Sequence, residues 1–146
     1  MSENLLEILE FKGIGYKPLI DFASWRVAIL RYIDELIPNR IERLERHVET
    51  DEVFVLLAGR AIIFIGEGGS QPASLSAHVM EQGKLYNVRR NTWHVAVLSF
   101  DASILLVENQ DTGPANTEYN NLSAELRQAL VDFSVREQPD CWNNLV

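Results

Sequence analysis

Glu45-Arg46-His47-Val48-Glu49-Thr50-Asp51-Glu52-Val53-Phe54-Val55-Leu56-Leu57-Ala58-Gly59 sets a histidine and several carboxylates directly ahead of an apolar run that closes at a glycine. Val53 to Leu57 is continuous, β-branched and aromatic, which predicts a strand buried on both faces. Side chains alternate along a strand, so Glu52 falls in line with Phe54 and Leu56. A carboxylate on the inward row of a buried strand is costly unless something pairs with it. His47 is close in sequence. A second histidine, His94, stands inside another apolar run, Trp93-His94-Val95-Ala96-Val97-Leu98. The remaining chain reads as a wall around these groups.

The spacing resembles the cupin family. Its first motif is a glycine, five residues, His-x-His, three or four residues, Glu, six residues and Gly. His47, Glu52 and Gly59 fall at those intervals. The second motif is a glycine, five residues, Pro-x-Gly, two residues, His, three residues and Asn. Gly83 and His94 match it. Glu45 stands where the family has its first histidine, and Asn39 where it has the leading glycine. In the second motif Arg89 replaces the proline, Asn91 the glycine and Leu98 the asparagine. Asn91 is the mildest change, because asparagine tolerates left-handed backbone. The resemblance implies an all-β fold, a double-stranded β-helix or jelly-roll barrel, with a short N-terminal segment and a C-terminal helix. We expect one cupin domain over residues 1–146, with the barrel core at 24–108 and the helix at 122–133.

Bulk properties agree with one core. The chain has 146 residues, 47% of them apolar, which suits a single domain. Its net charge of −8, from 21 acidic and 13 basic residues, argues against nucleic-acid backbones and anionic membranes, which need a basic face. No apolar run is long enough to span a bilayer, and Met1-Ser2-Glu3-Asn4 does not read as a signal peptide. The single Cys141 cannot form an internal disulfide and fits a cytoplasmic location.

Taken in order, residues 3 to 10 predict a short helix capped near Ser2 or Asn4, and Lys12 to Pro18 a turn-rich connection. Trp25 to Tyr32 predicts a strand. Ile41 to Arg46 allows a helix, but the resemblance implies an extended approach in which Glu45 and His47 share a face. Val53 to Leu57 and Ala61 to Ile65 flank Ala58-Gly59-Arg60 and predict a hairpin-like pair. Gly66 to Pro72 is a loop without the helix or Lys-Ser/Thr pair of a phosphate cradle. Leu75 to Glu81, Leu85 to Val88, Thr92 to Leu98 and Ser103 to Val107 predict strands. Glu108 to Asn121 predicts a polar loop, and Leu122 to Phe133 an amphipathic helix capped by Asn121 or Ser123. Pro139 to Val146 reads as a tail.

The candidate site is His47, Glu52 and His94, two imidazoles and a carboxylate, a set suited to Fe, Mn, Ni, Co or Zn with positions left for substrate. Glu45 either joins the ligands, turns to solvent, or stays unligated as a general base. The alternative is a metal-free site in which His47 and Glu52 bond each other and His94 meets a tyrosine or carbonyl. Arg89, at a corner near the implied barrel mouth, offers a bidentate clamp for an anionic ligand, or is a solvated corner charge. Tyr86 is placed to line the same mouth. His78 reads as exposed or satisfied. Two functions follow: a metal-dependent enzyme acting on a small polar or anionic molecule, or a metal-free small-molecule-binding or accessory protein. The outward row Val53, Val55, Leu57, Trp93, Val95 and Val97 must be covered by other segments or by a partner, and the resemblance implies a homodimer.

Overall fold

Ten strands and a C-terminal helical segment organise the chain in a computed structural model that describes residues 5–142. The strands are β1 (Tyr16–Phe22), β2 (Trp25–Arg31), β3 (Arg43–His47), β4 (Glu52–Ala58), β5 (Ala61–Glu67), β6 (Ser74–Val79), β7 (Leu85–Val88), β8 (Trp93–Leu98), β9 (Ser103–Asn109) and β10 (Thr117–Asn121). The α-helices are α1 (Ala124–Glu137) and a single turn, α2 (Pro139–Trp142), and three short 3-10 turns lie at Asp34–Leu36, Pro38–Arg40 and Pro114–Asn116. Two five-stranded sheets result, in the orders β1-β2-β9-β4-β7 and β10-β3-β8-β5-β6. Every pairing is antiparallel. This is the jelly-roll arrangement. Among the described residues no helix is long and apolar enough to cross a membrane.

The two motif strands lie in different sheets. β4 is in the first and β8 in the second, so their inward rows meet across the core. Phe54, Leu56, Ala96 and Leu98 pack there with Ile63, Ile104 and Leu106. The row Trp93 and Val97 on the far side of β8 is covered by Leu130 of α1 and by Trp142. Ser123 caps α1 by accepting from the Leu126 amide at 3.2 Å, one of the two caps expected. Of the apolar face expected for this helix, Leu122 and Leu130 are buried, but Ala129 is exposed.

Several expectations need correction. Val53 to Leu57 is buried on one face only: Val53 and Val55 are half-buried and Leu57 is exposed, because no described element covers the outer side of β4. β4 and β5 are not a hairpin pair. β4 bonds to β7 and β9, and β5 to β6 and β8. The corner at Gly59 instead carries the chain from one sheet to the other, with φ +71° and the position of a Cβ only 2.6 Å from the Ala102 backbone. Only glycine fits there without displacing backbone. Residues 5 to 10 are not helical. Their leucines are exposed, and so short a helix has no intrinsic stability without a packing surface. The expected caps Ser2 and Asn4 lie outside the described residues.

Two strands were hidden by their composition. β1 contains Pro18 and lies at a sheet edge, where a missing donor is tolerated. β10, Thr-Glu-Tyr-Asn-Asn, reads as loop, yet it pairs with β3 in the register Thr117↔His47. A polar edge strand suits its position. The expected tail begins instead with α2, whose Trp142 is buried and donates to the Ser134 carbonyl at 3.0 Å. Residues 143–146 of that tail lie outside the described residues.

Candidate active site in the barrel

β3 enters the core extended, as the motif spacing implied. The inward row of β4 begins with Glu52, followed by Phe54 and Leu56, all buried. His94 is the second residue of β8, opposite Glu45 of β3. The two motifs are tied by backbone: the Asn91 amide donates to the His47 carbonyl at 2.8 Å. Asn91 holds φ 64°, the left-handed conformation served by glycine in the family pattern.

These groups line a cavity of about 690 Å³. His47 Nε2 lies 2.5 Å from Glu52 Oε2. At that distance the carboxylate is the partner of this nitrogen, and the pairing raises the His47 pKa. Glu45 Oε1 stands 3.8 Å from His47 Nε2 and 3.8 Å from His94 Nε2. The Nδ1 atoms are occupied. His47 Nδ1 shares 2.9 Å with the Thr117 hydroxyl. His94 Nδ1 donates to the Thr92 carbonyl at 2.8 Å, so its Nε2 carries a bare lone pair. Backbone and hydroxyl partners of this kind orient imidazoles for metal binding.

Charge in the cavity is unbalanced. Five carboxylates line it, Glu35, Glu42, Glu45, Glu52 and Glu108, against two guanidiniums, Arg40 and Arg43. Burial pushes Glu52 up to about 7, only partly offset by His47. Burial also raises Glu45. His94 is lowered to about 4, chiefly by burial, so its ring is neutral. Burial lowers His47, but the surrounding carboxylates outweigh it and its pKa is raised.

The donors fall into two overlapping groups that could hold a metal ion: Glu45, His47 and His94, and His47, Glu52 and Glu108. His47 belongs to both, while Glu52 and His94 fall in different groups. The chemistry of this set fits a divalent ion. His94 presents an unpartnered buried Nε2 to Glu45, and His47 turns its Nε2 to Glu52 and Glu45; mixed nitrogen and oxygen donors suit Mn(II), Fe(II) or Zn(II).

Arg89 and Tyr86 do not line the cavity. Arg89 is exposed beside Asp51, whose pKa is lowered mainly by the Arg90 amide and Asn87, with Arg89 adding to it. The Tyr86 hydroxyl accepts from the Glu81 amide at 2.8 Å. The family's turn proline, which Arg89 replaces, is on the outside of this fold. His78 is exposed and bonds Ser76 at 3.3 Å. Sequence reasoning missed Glu108, Tyr16, Arg40 and Arg43. Glu108 had a usable signal, since it follows Ile104 and Leu106 at strand spacing.

Two facing antiparallel sheets, with the His47–Glu52 and His94 motifs on their inner rows, define a cupin fold. No protein-family model matches the chain. A ureidoglycolate lyase of Agrobacterium fabrum is 30% identical over 91 residues, 60% of this chain and 54% of that protein. The chain therefore matches about half the length of that relative. Among solved structures, Streptomyces Pac13, described as a nucleoside dehydratase, is similar over 79% of this chain and 86% of its own, at 13% identity and a TM-score of 0.51. BH2720 of Bacillus halodurans is similar over 69% of this chain and 74% of its own, at 13% identity and a TM-score of 0.52. At such identities the likeness is one of fold.

Proposed function

We propose that the cavity is the active site of a metal-dependent lyase acting on a small, polar, anionic molecule. The observation that carries this reading is the convergence of the His47 and His94 Nε2 atoms, each 3.8 Å from one Glu45 oxygen, with His94 Nε2 buried and unpartnered in an acid-rich cavity. His47, Glu52 and His94 hold the ion in this reading. A divalent ion there supplies Lewis-acid polarisation of a substrate oxygen. Arg40 and Arg43 meet the substrate's anionic end. Arg43 is steadied 3.9 Å over the Tyr119 ring, and neither arginine forms an ion pair among the described residues. Glu45, half-buried and raised by its burial, acts as general base.

The similarity to a lyase supports a matching step. Glu45 takes the proton of a hydroxyl on the carbon that bears a nitrogen leaving group. The carbonyl forms as the carbon–nitrogen bond breaks, and Glu45 returns the proton to the departing nitrogen. Ureidoglycolate is the first substrate to test. We expect the Mn(II)- or Fe(II)-loaded protein to release glyoxylate and urea from it. Glu45→Gln should lower kcat by about a hundredfold or more, the usual loss on removing a general base. Absence of turnover of ureidoglycolate and related 2-hydroxy acids with Mn(II), Fe(II) or Zn(II) would overturn the reading. It would favour the metal-free binding role, in which the His47–Glu52 contact serves itself.

We also propose that two copies pair through the outer face of the β1-β2-β9-β4-β7 sheet. Phe22, Trp25, Leu57 and Leu85 are exposed there, and α1 covers the other sheet. An isologous contact of two such apolar faces removes both from water. Light scattering after gel filtration should give twice the chain mass, and Val55→Glu with Leu57→Glu should return it to one. A monomeric wild type at micromolar concentration would refute the dimer.

A further inference from the structure

Glu108 is a buried carboxylate, 7% exposed, that the motif-based site leaves out. It continues the inward row Ile104 and Leu106 of β9. The β4–β9 register pairs Val53 with Val107 and Phe54 with Leu106. Carried one step further, it sets Glu52 opposite Glu108. Like charges directly opposite on a sheet repel, and burial removes the water that would screen them. Ligand atoms of Glu52, Glu108 and His47 lie within 4.8 Å of one another.

The protein supplies little to neutralise this pair. Tyr16 donates its hydroxyl to Glu108 Oε1 at 2.5 Å, which fixes the carboxylate but adds no positive charge. Arg26 is the cross-strand neighbour of Glu108 on β2. Its guanidinium is engaged by Asp21 at 2.7 and 3.3 Å, and it forms no ion pair with Glu108 among the described residues. His47 is one imidazole between two carboxylates, and its Nε2 is taken by Glu52 at 2.5 Å.

We propose that Glu108 is a protein ligand of the bound metal, beside His47 and Glu52. This rests on the metal reading of the cavity given above. The ligands become His47, Glu52 and Glu108, the group whose donor atoms already lie within 4.8 Å of one another, with His94 in the neighbouring group that shares His47. Glu45, the more exposed carboxylate, stays free as the base. Exchanging an imidazole for a carboxylate hardens the site, so it favours Mn(II) and Fe(II) relative to Zn(II). Tyr16 is then a positioning residue that holds Glu108.

Mn(II) titration followed by electron paramagnetic resonance tests this without any substrate, because the bound ion loses the sharp signal of the free one. Wild type, Glu108→Gln and Glu108→Asp are compared, each checked for a cooperative melt in the metal-free state. Glu108→Gln should bind Mn(II) at least about tenfold more weakly, the scale at which even outer-shell changes act. Competition should show a smaller loss for Zn(II). Glu108→Asp should fall between, and it carries the test should the glutamine variant not fold. Equal Mn(II) affinity in wild type and a folded Glu108 variant would overturn the proposal and leave Glu108 as a partner of Tyr16 alone. Failure of the wild type to bind Mn(II), Fe(II) or Zn(II) would overturn it together with the metal reading, and that outcome is visible before any variant is made.

Discussion

Protein purified without chelator or affinity-tag metal should carry a divalent transition metal at near-stoichiometric level, and the His47→Ala, His94→Ala double variant should carry none. Elemental mass spectrometry reads both. The two imidazoles come from neighbouring strands of one sheet, β3 and β8, and their Nε2 atoms flank one Glu45 oxygen at 3.8 Å. Their Nδ1 atoms are held by Thr117 and Thr92, so both rings are oriented before any ion arrives. Removing them leaves Glu52, Glu108 and Glu45 as the donors. Oxygen donors alone hold such ions far less tightly than a mixed set with imidazole. The expected loss is complete at micromolar metal. Wild type without metal, even after incubation with Mn(II), Fe(II), Ni(II) or Zn(II), would sink the metal reading and direct attention to ligands of an empty barrel.

Glu52→Gln should stabilise the metal-free protein at pH 8 and destabilise it, relative to wild type, once metal is added. Burial raises the Glu52 carboxyl to about 7, above its value in an unfolded chain. The folded protein therefore holds this proton more tightly than the unfolded one. The stability this group contributes is present below its unfolded value of 4.5 and is lost as pH rises through about 7. Glutamine has no such loss. The stability difference between variant and wild type should therefore grow from pH 4 to pH 8 by about 3 kcal/mol. His94 acts in the opposite sense. Its lowered pKa costs stability as pH falls from its unfolded value of 6.5 through about 4, but it does so in both proteins and cancels in the comparison. His47 couples to Glu52, and the surrounding carboxylates raise its pKa. Metal stabilises whichever protein binds it, in proportion to the logarithm of its concentration over Kd. Saturating Mn(II) should therefore reverse the order of the two midpoints in urea. A pH-independent difference, or the same order with and without metal, would show that Glu52 serves packing rather than an ion.

A stability deficit at Glu52 in the metal-free protein is what a functional carboxylate on a core row implies. A methionine or leucine at the start of β4 would extend the apolar row of Phe54 and Leu56 at no electrostatic cost. The same reasoning applies to Glu108 at the end of the Ile104, Leu106 row. Both carboxylates sit where their strands leave the packed core for the cavity.

Features that depend on spacing within one element were legible in the order of residues. Period-two alternation put Glu52 on the row of Phe54 and Leu56, and set Ala96 and Leu98 facing them. The intervals His47–Glu52–Gly59 and Gly83–His94 carried the cupin resemblance and with it the two-sheet fold. Asn91 was legible as a left-handed corner. The tertiary structure alone decided which distant strands became neighbours. β10 and β1 owe their conformation to hydrogen bonds with β3 and β2, which local composition does not encode. Gly59 turned from a hairpin corner into a crossing between sheets because β4 and β5 found other partners. Arg89 went outside the cavity, while Arg40, Arg43, Tyr16 and Glu108 came to line it. Alternation says which face a residue takes, but only the register between strands says which residue stands opposite. The pairing of Glu52 with Glu108 belongs to that second kind of information.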